Sequence, residues 1–399
     1  MVVAVAALIA APSAAAATRY ASPSGTGNPT VCSESNPCDI KTAVEDSSVQ
    51  DDDVIVVLPG TYQLNADNLN IGNNGDVITV RSQPGAPRPR IVTSGYVSDY
   101  LGTLRRVKIS STSQFWGLLI DPDGTAERVT VDSLGDACTV YGDATIRDSV
   151  CWTHDKDNAS AVYASNPDGA SHSITLRNVT AVAAGSHNFG IAAVVGSTGG
   201  DSIDAKGVIA SGTDFDTWAI AQSGGTAAIA LDHSNYANRG SGGAGTTSIT
   251  DPATNNNQTT EPVFADAAGG DFHQLFGSPT INAGDVDNLS GDMDIDDEPR
   301  TMDSVPDIGA DELSLAEPNT TITKHPPKQT TTRSARFKFK ADLAGSTFEC
   351  NLDGTGYVPC SSPQVYLQLE RRKHTFKVRA DHYGVAETTP AKYGWTIER

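Results

Sequence analysis

The feature that most constrains this chain is a repeat of short alternating segments in its middle. RVKISS (106–111), RVTVDS (128–133), ATIRDS (144–149), ITLRNV (174–179), SIDAKG (202–207) and AAIALD (227–232) each alternate apolar and polar residues. That alternation marks a half-buried strand. Aligned on Ile109, Val131, Ile146, Leu176, Ile203 and Ile229, the segments recur at a mean of 24 residues. A second strand type falls between them: FWGLLI (115–120), CTVYG (138–142), SAVYA (160–164), FGIAAVV (189–195) and WAIAQ (218–222). A single unit of this kind cannot bury its apolar face. Stacking unit on unit does, and parallel pairing then satisfies the backbone. The repeat therefore predicts an all-β chain built on a right-handed parallel β-helix solenoid. A β-sandwich competes with it, but wants turns every 8–12 residues or so. Two strand types alternating at a period near 24 favour the solenoid.

Composition agrees. Of 399 residues, 37 are glycine and 21 proline, while aromatics make up only 6%. Such a chain suits many short strands joined by turns. The formal net charge is −20, which repels phosphate backbones and argues against a nucleic-acid partner. The charge is unevenly placed. Residues 318–399 hold 13 Lys and Arg against 7 Asp and Glu, a net of +6, which leaves −26 on the remainder. A change of charge sign marks a domain boundary at 317/318.

The six cysteines form three local couples, Cys32 with Cys38, Cys138 with Cys151, and Cys350 with Cys360. None has zinc-site spacing, so three disulfides and an oxidising compartment are expected. Residues 1–17, MVVAVAALIAAPSAAAA, read as a signal peptide: an apolar run too short to span a bilayer, Pro12, then small residues in an A-x-A pattern. The expectation is a secreted, extracellular or cell-surface protein with no transmembrane segment, and a monomer.

Three stretches carry resemblances. The opening has Tyr20-Ala-Ser-Pro-Ser-Gly25, the couple Cys32 and Cys38, a helix expected over 40–47, and Asp53-Val-Ile-Val-Val-Leu-Pro59-Gly60-Thr61-Tyr62. It resembles the entry segment of secreted pectate-lyase-like β-helix proteins, in which the helix caps the open end of the solenoid. Residues 261–313 run through Phe272-His273, Gly277-Ser278-Pro279, Ile281-Asn-Ala-Gly284, an acidic loop, Pro299-Arg300 and Asp307-Ile-Gly-Ala-Asp-Glu312. They resemble the choice-of-anchor Q module, which closes bacterial β-helix surface proteins. Asn282 stands where that family shows Asp, and Asp297-Glu298 precede Pro299 where it has Asp-Gly-x. Residues 318–399 resemble bacterial Ig-like domains with a local disulfide, implying a small β-sandwich after a solenoid of 18–317.

Candidate sites follow from the repeat and the loops. The position after each aligned apolar residue gives an outward column: Ser110, Asp132, Arg147, Arg177, Asp204, Ala230. β-Helix lyases use an Arg or Lys base beside calcium-binding carboxylates. On that reading Arg147 or Arg177 is the base, and Asp132 or Asp204 a metal ligand. The same column suits a salt-bridge ladder on a solvated sheet. Trp152, His154, Asp155 and Asp157 form a polar loop that could hold sugar hydroxyls, with Trp152 on a ring face, or simply a surface turn. Asp148 and Asn178 are expected to hydrogen-bond as a ladder at a bend. Seven carboxylates fall within 285–298. Asp292, Asp294 and Asp296 alternate like the start of a calcium loop, although Asp297 occupies the glycine position of an EF-hand and no helices flank it. Ca2+ or plain solvation both fit such a loop.

These residues point to a non-catalytic protein binding polysaccharide or cell-wall glycan. A calcium-dependent polysaccharide lyase or a glycoside hydrolase is the alternative, and a structural surface spacer the third.

Overall fold

The computed structural model describes residues 16–72, 75–154, 156–251 and 256–399. Most of the expected signal peptide, and Asp155 of the polar loop, lie outside the described residues. The chain falls into two compact units. One runs to Glu261 and takes in Ala283–Arg300 and Pro306–Asp311; the other comprises Pro262–Asn282, Thr301–Val305 and Glu312–Arg399. The stretch 261–313 is thus divided between the two.

The regular structure of the first unit is nearly all β, in two long parallel sheets, consistent with a β-helix solenoid. One sheet of eight strands runs from Leu69–Ile71 through Val97–Asp99, Trp116–Ile120, Asp136–Val140, Ser160–Ser165, Phe189–Val195 and Phe215–Ala221 to Arg239–Gly242. The other, larger sheet has two limbs per coil. Its first limb holds Thr79–Ser82, Thr103–Arg105 and Gly124–Glu127, and its second Arg90–Thr93, Lys108–Ser111 and Thr130–Ser133. Both limbs fuse in the long strands Ala144–Thr153 and Ser171–Ala183.

One residue turns the first limb into the second. Arg106, Arg128, Asp148, Asn178, Gly207 and His233 have φ of 60°, 51°, 49°, 53°, 68° and 44°. That left-handed region costs most L-residues energy, and Asn, Asp and Gly least. Asn178 Nδ2 donates to Asp148 Oδ1 at 3.1 Å, so the expected ladder sits at this bend. Gly207 is required there: a Cβ would lie 2.5 Å from Asn178 Oδ1.

The true register differs from the sequence alignment. Ile109 and Val131 stack with Ile91 and Cys151 in the second limb. Ile146 stacks with Leu176 in the first, while Ile203 stacks with Ile174 and Ile229, two residues earlier along that limb. Alternation alone cannot separate two limbs joined through a single bent residue. The interior is filled by buried Ile, Val, Leu and Ala, each larger side chain contributing about 1.5–3 kcal/mol.

Cys138, on the eight-stranded sheet, and Cys151, on the second limb, are fully buried and bonded across the interior. Cys32–Cys38 closes the N-terminal segment. The helix there is Ile40–Glu45, capped by Asp39, whose side chain accepts from the Thr42 amide. It buries Ile40, Ala43 and Val44 against Leu69–Ile71, the first strand of the eight-stranded sheet.

The second unit is also β, with mostly antiparallel sheets. Thr320–Lys324, Ala335–Ala341 and Gln364–Tyr366 form one; Thr347–Leu352, Val358–Cys360, Lys373–His382 and Ala391–Ile397 form the main part of the other. Phe337, Phe376, Val378 and Trp395 fill its core, and Cys350–Cys360 joins neighbouring strands. Among the described residues no helix is long and apolar enough to cross a membrane.

Candidate functional site

The outward side chain just before each bend forms one continuous column on the first limb: Arg81, Arg105, Glu127, Arg147, Arg177, Lys206 and Asp232, each paired with the next. Five of these seven are cationic. Stacked strands lie about 4.8 Å apart, so the cations need countercharge. Glu127 accepts from Arg105 Nη2 and Arg147 Nη2, both at 2.6 Å. Burial works to raise the Glu127 carboxyl, but Arg147 and Arg105 outweigh it and hold it below its ordinary value.

Further countercharge comes from the acidic loop. Arg177 donates from Nε to Asp287 at 2.9 Å, and Lys206 from Nζ to Asp285 at 2.8 Å. Arg106 and Arg128 both donate to Asp297, the latter at 2.7 Å. Deeper, Arg300 reaches Asp148 at 3.3 Å. The loop is therefore laid along the ladder by ion pairs.

This placement bears on each lyase candidate. Arg177 is 3% exposed. Besides Asp287 it donates to Asp204 Oδ2 at 2.7 Å and to the carbonyls of Leu176 and Asp204 at 2.9 Å each. It is engaged on every side and presents no reactive face. Arg147 belongs to Glu127. Asp204 stands beside Thr175 and Ala230, and Asp132 beside Ser110 and Trp152 on the other limb. The expected single column of Asp132, Arg147, Arg177 and Asp204 is not formed, because its members belong to different limbs or to different positions within one limb.

The three candidate calcium ligands of the loop are placed differently from one another. Asp294 is fully buried, and its Oδ1 accepts the Asp296 and Glu298 amides at 2.9 and 2.7 Å. Asp292 and Asp296 are exposed, and the three do not converge as a trio among the described residues. Asp232, His233 and Asp285 do converge, but the Lys206 ammonium already lies 3.3 Å from Asp232 and 2.8 Å from Asp285.

Two candidates from the polar loop meet a third from the column. Trp152 stacks on His154 with centroids 4.4 Å apart, and His154 Nε2 lies 2.8 Å from Asp132 Oδ1. Asp157 instead accepts the Ser186 amide at 3.3 Å, the role of a turn residue.

The residues that sequence reasoning missed lie on the eight-stranded sheet. Phe189 pairs with Phe215 across neighbouring strands, rings nearly parallel at 3° with centroids 6.5 Å apart. Trp218 stacks on both, at 4.9 Å from Phe215 and 5.7 Å from Phe189. Further along the same sheet Trp116 meets Tyr96 at 5.2 Å and Tyr141 at 5.8 Å, edge to face. All six rings are half-buried. Next to Phe115 of this face, 70% exposed, stands Lys156, 5.9 Å from its ring centroid. Carboxylates accompany the rings. Burial pushes Asp136 up to about 6, only partly offset by the Ser160 amide and Lys156. Burial also raises Asp121 against a hydrogen bond from Tyr100. The signal was present in FWGLLI, CTVYG, FGIAAVV and WAIAQ, whose aromatic residues mark the strands that carry this stripe.

The stripe presents flat apolar faces beside polar acceptors, which suits a ligand with both hydroxyls and C–H faces. No protein-family model matches this chain, and no curated protein matches it in sequence.

Proposed function

We propose that this is a secreted or cell-surface right-handed β-helix protein of the pectate-lyase-like kind, which binds polysaccharide or cell-wall glycan without turning it over. It would act as a monomer, with a choice-of-anchor Q module after the solenoid and an Ig-like C-terminal domain as spacer or second binder. The observation that carries this reading is the aromatic stripe on one sheet, made of two clusters, Phe189 with Phe215 and Trp218, and Tyr96 with Trp116 and Tyr141. Half-buried rings aligned along a rigid sheet offer pre-ordered stacking platforms at little entropic cost. Three disulfides, and the absence among the described residues of a helix fit to span a membrane, are compatible with an extracellular protein.

A hydrolytic reading has one observation of its own. Burial raises the Tyr141 hydroxyl first, and the nearby charges of Asp136 and Asp121 add to it, so both carboxylates lie near one ring on the stripe. An Asp held at about 6 suits a general acid. A glycan array with a parallel turnover readout separates the readings. Binding without products supports the binder; new reducing ends support hydrolysis through Asp136 and Asp121; unsaturated uronates support a lyase. Neither binding nor turnover leaves a spacer.

A further inference from the structure

The Arg81 end of the basic ladder holds a cleft of about 400 Å³, lined by Arg81, Arg105, Arg106, Arg128, Asp297 and the turn at 82–85. Two more guanidinium groups lie next to the carboxylates that these arginines share. Arg88 Nη2 lies 3.7 Å from Asp297, and Arg147 shares Glu127 with Arg105. The carboxylates facing these six cations are Glu127 and Asp297, with Asp296 acting on Arg88 from further off. Six positive charges against three leave a surplus of three.

The donors are also unspent. The Nε atoms of Arg105 and Arg128 are buried without a hydrogen-bond partner among the described residues. Arg81 is half-buried, and its described bond is a long one, 3.4 Å, from Nη1 to the Ser82 carbonyl. A buried charged donor left unpaired is costly, so a surplus of guanidinium groups around a cavity calls for an anion. Guanidinium forks match carboxylates and phosphates alike. The surplus of three favours a doubly charged group, as a phosphate monoester carries at neutral pH. A cavity of this volume falls in the range of small-molecule sites, so it accommodates a carrier as well as the oxyanion.

We propose that this cleft binds a phosphate monoester on a sugar-sized carrier, held by Arg81, Arg105 and Arg128. The inference stands apart from the glycan reading, which rests on the other sheet. Whether the ester is free or the end of a polymer is settled by probe size, since the chemistry recognised is the same.

The test uses the full chain at constant ionic strength, by calorimetric titration and thermal shift. The probes are inorganic phosphate, glucose 6-phosphate, glucose, galacturonate and a terminally phosphorylated oligosaccharide. Glucose 6-phosphate is expected to bind and raise Tm, inorganic phosphate to do so more weakly, and galacturonate to bind at least tenfold more weakly than glucose 6-phosphate. Glucose is expected to do nothing. The phosphorylated oligosaccharide binds as well as glucose 6-phosphate if the source is a polymer end, and more weakly if the ester is free. Arg81→Ala, whose side chain makes so little internal contact, should keep the Tm of the unliganded protein and weaken glucose 6-phosphate binding at least tenfold; Arg81→Gln serves if the alanine variant does not fold. A shift reproduced by sodium chloride, binding of inorganic phosphate with no response to glucose 6-phosphate, or undiminished binding by the folded Arg81 variant would overturn the proposal.

Discussion

Asp99 carries the sharpest consequence of a single residue. It ends the strand Val97–Asp99, stacks between Ile71 and Ile120, and is fully buried. Burial pushes its carboxyl up to about 7. The amides of Gly102, Leu104 and Thr125 lie near enough to lower it somewhat, but neither carboxylate oxygen has a hydrogen-bond partner among the described residues. The unfolded chain releases this proton near pH 4, whereas the folded protein keeps it until about 7. The group therefore costs nothing below pH 4, costs progressively more as pH rises from 4 to 7, and costs its full amount above that. Asp99→Asn stays neutral throughout. Its Tm should match the wild type near pH 4 and exceed it at pH 8, with a gain of at most about 4 kcal/mol. Equal melts at pH 8 would remove the claim. No alternation rule finds Asp99, because in sequence it is only a polar residue beside a strand.

At the scale of elements, the bend between limbs decides the register. Asn178 combines a φ of 53° with the bond to Asp148. Asn178→Ala keeps the strained conformation and loses the bond, so chemical denaturation should read a loss of about 1–3 kcal/mol. Asn178→Gly relieves the strain and should lose less; the reverse order would mean the bend is not what is being measured. The parallel architecture was legible in the sequence because period and alternation are both backbone properties. The side-chain column was not. Arg105-Arg106-Val107, Glu127-Arg128-Val129, Arg177-Asn178-Val179 and Lys206-Gly207-Val208 repeat a charged residue, a bend residue and an inward Val. Aligning on the bend gives the ladder; aligning on Ile109, Val131, Ile146, Leu176, Ile203 and Ile229 mixes the limbs. The disulfide couples were readable for the opposite reason, since each lies within a short stretch of chain.

For the solenoid as a whole, the charge balance hid its own organisation. The many Asp and Glu outside 318–399 read as an acidic surface, yet several of them, Glu127, Asp285, Asp287 and Asp297 among them, neutralise a basic ladder that only stacking assembles. Asp297 takes Arg106 and Arg128 and lies beside Arg88. Asp297→Ala should lower stability by about 1–3 kcal/mol and raise hydrogen exchange across 285–300, while the sheet strands stay protected. A chelator should leave the wild-type melt unchanged, because guanidinium and ammonium groups already serve as the loop's cations. A chelator-induced fall in Tm would instead mean that a metal holds it.

The central claim is that the aromatic stripe on the eight-stranded sheet is the glycan-binding surface. Affinity electrophoresis through the polysaccharide selected on the array, comparing wild type with Phe215→Ala/Trp218→Ala at matched Tm, tests it most directly. The account predicts that retardation of the wild type falls at least tenfold in the double variant, about 1.4 kcal/mol, with no new reducing ends. Unchanged retardation of the folded double variant would contradict it.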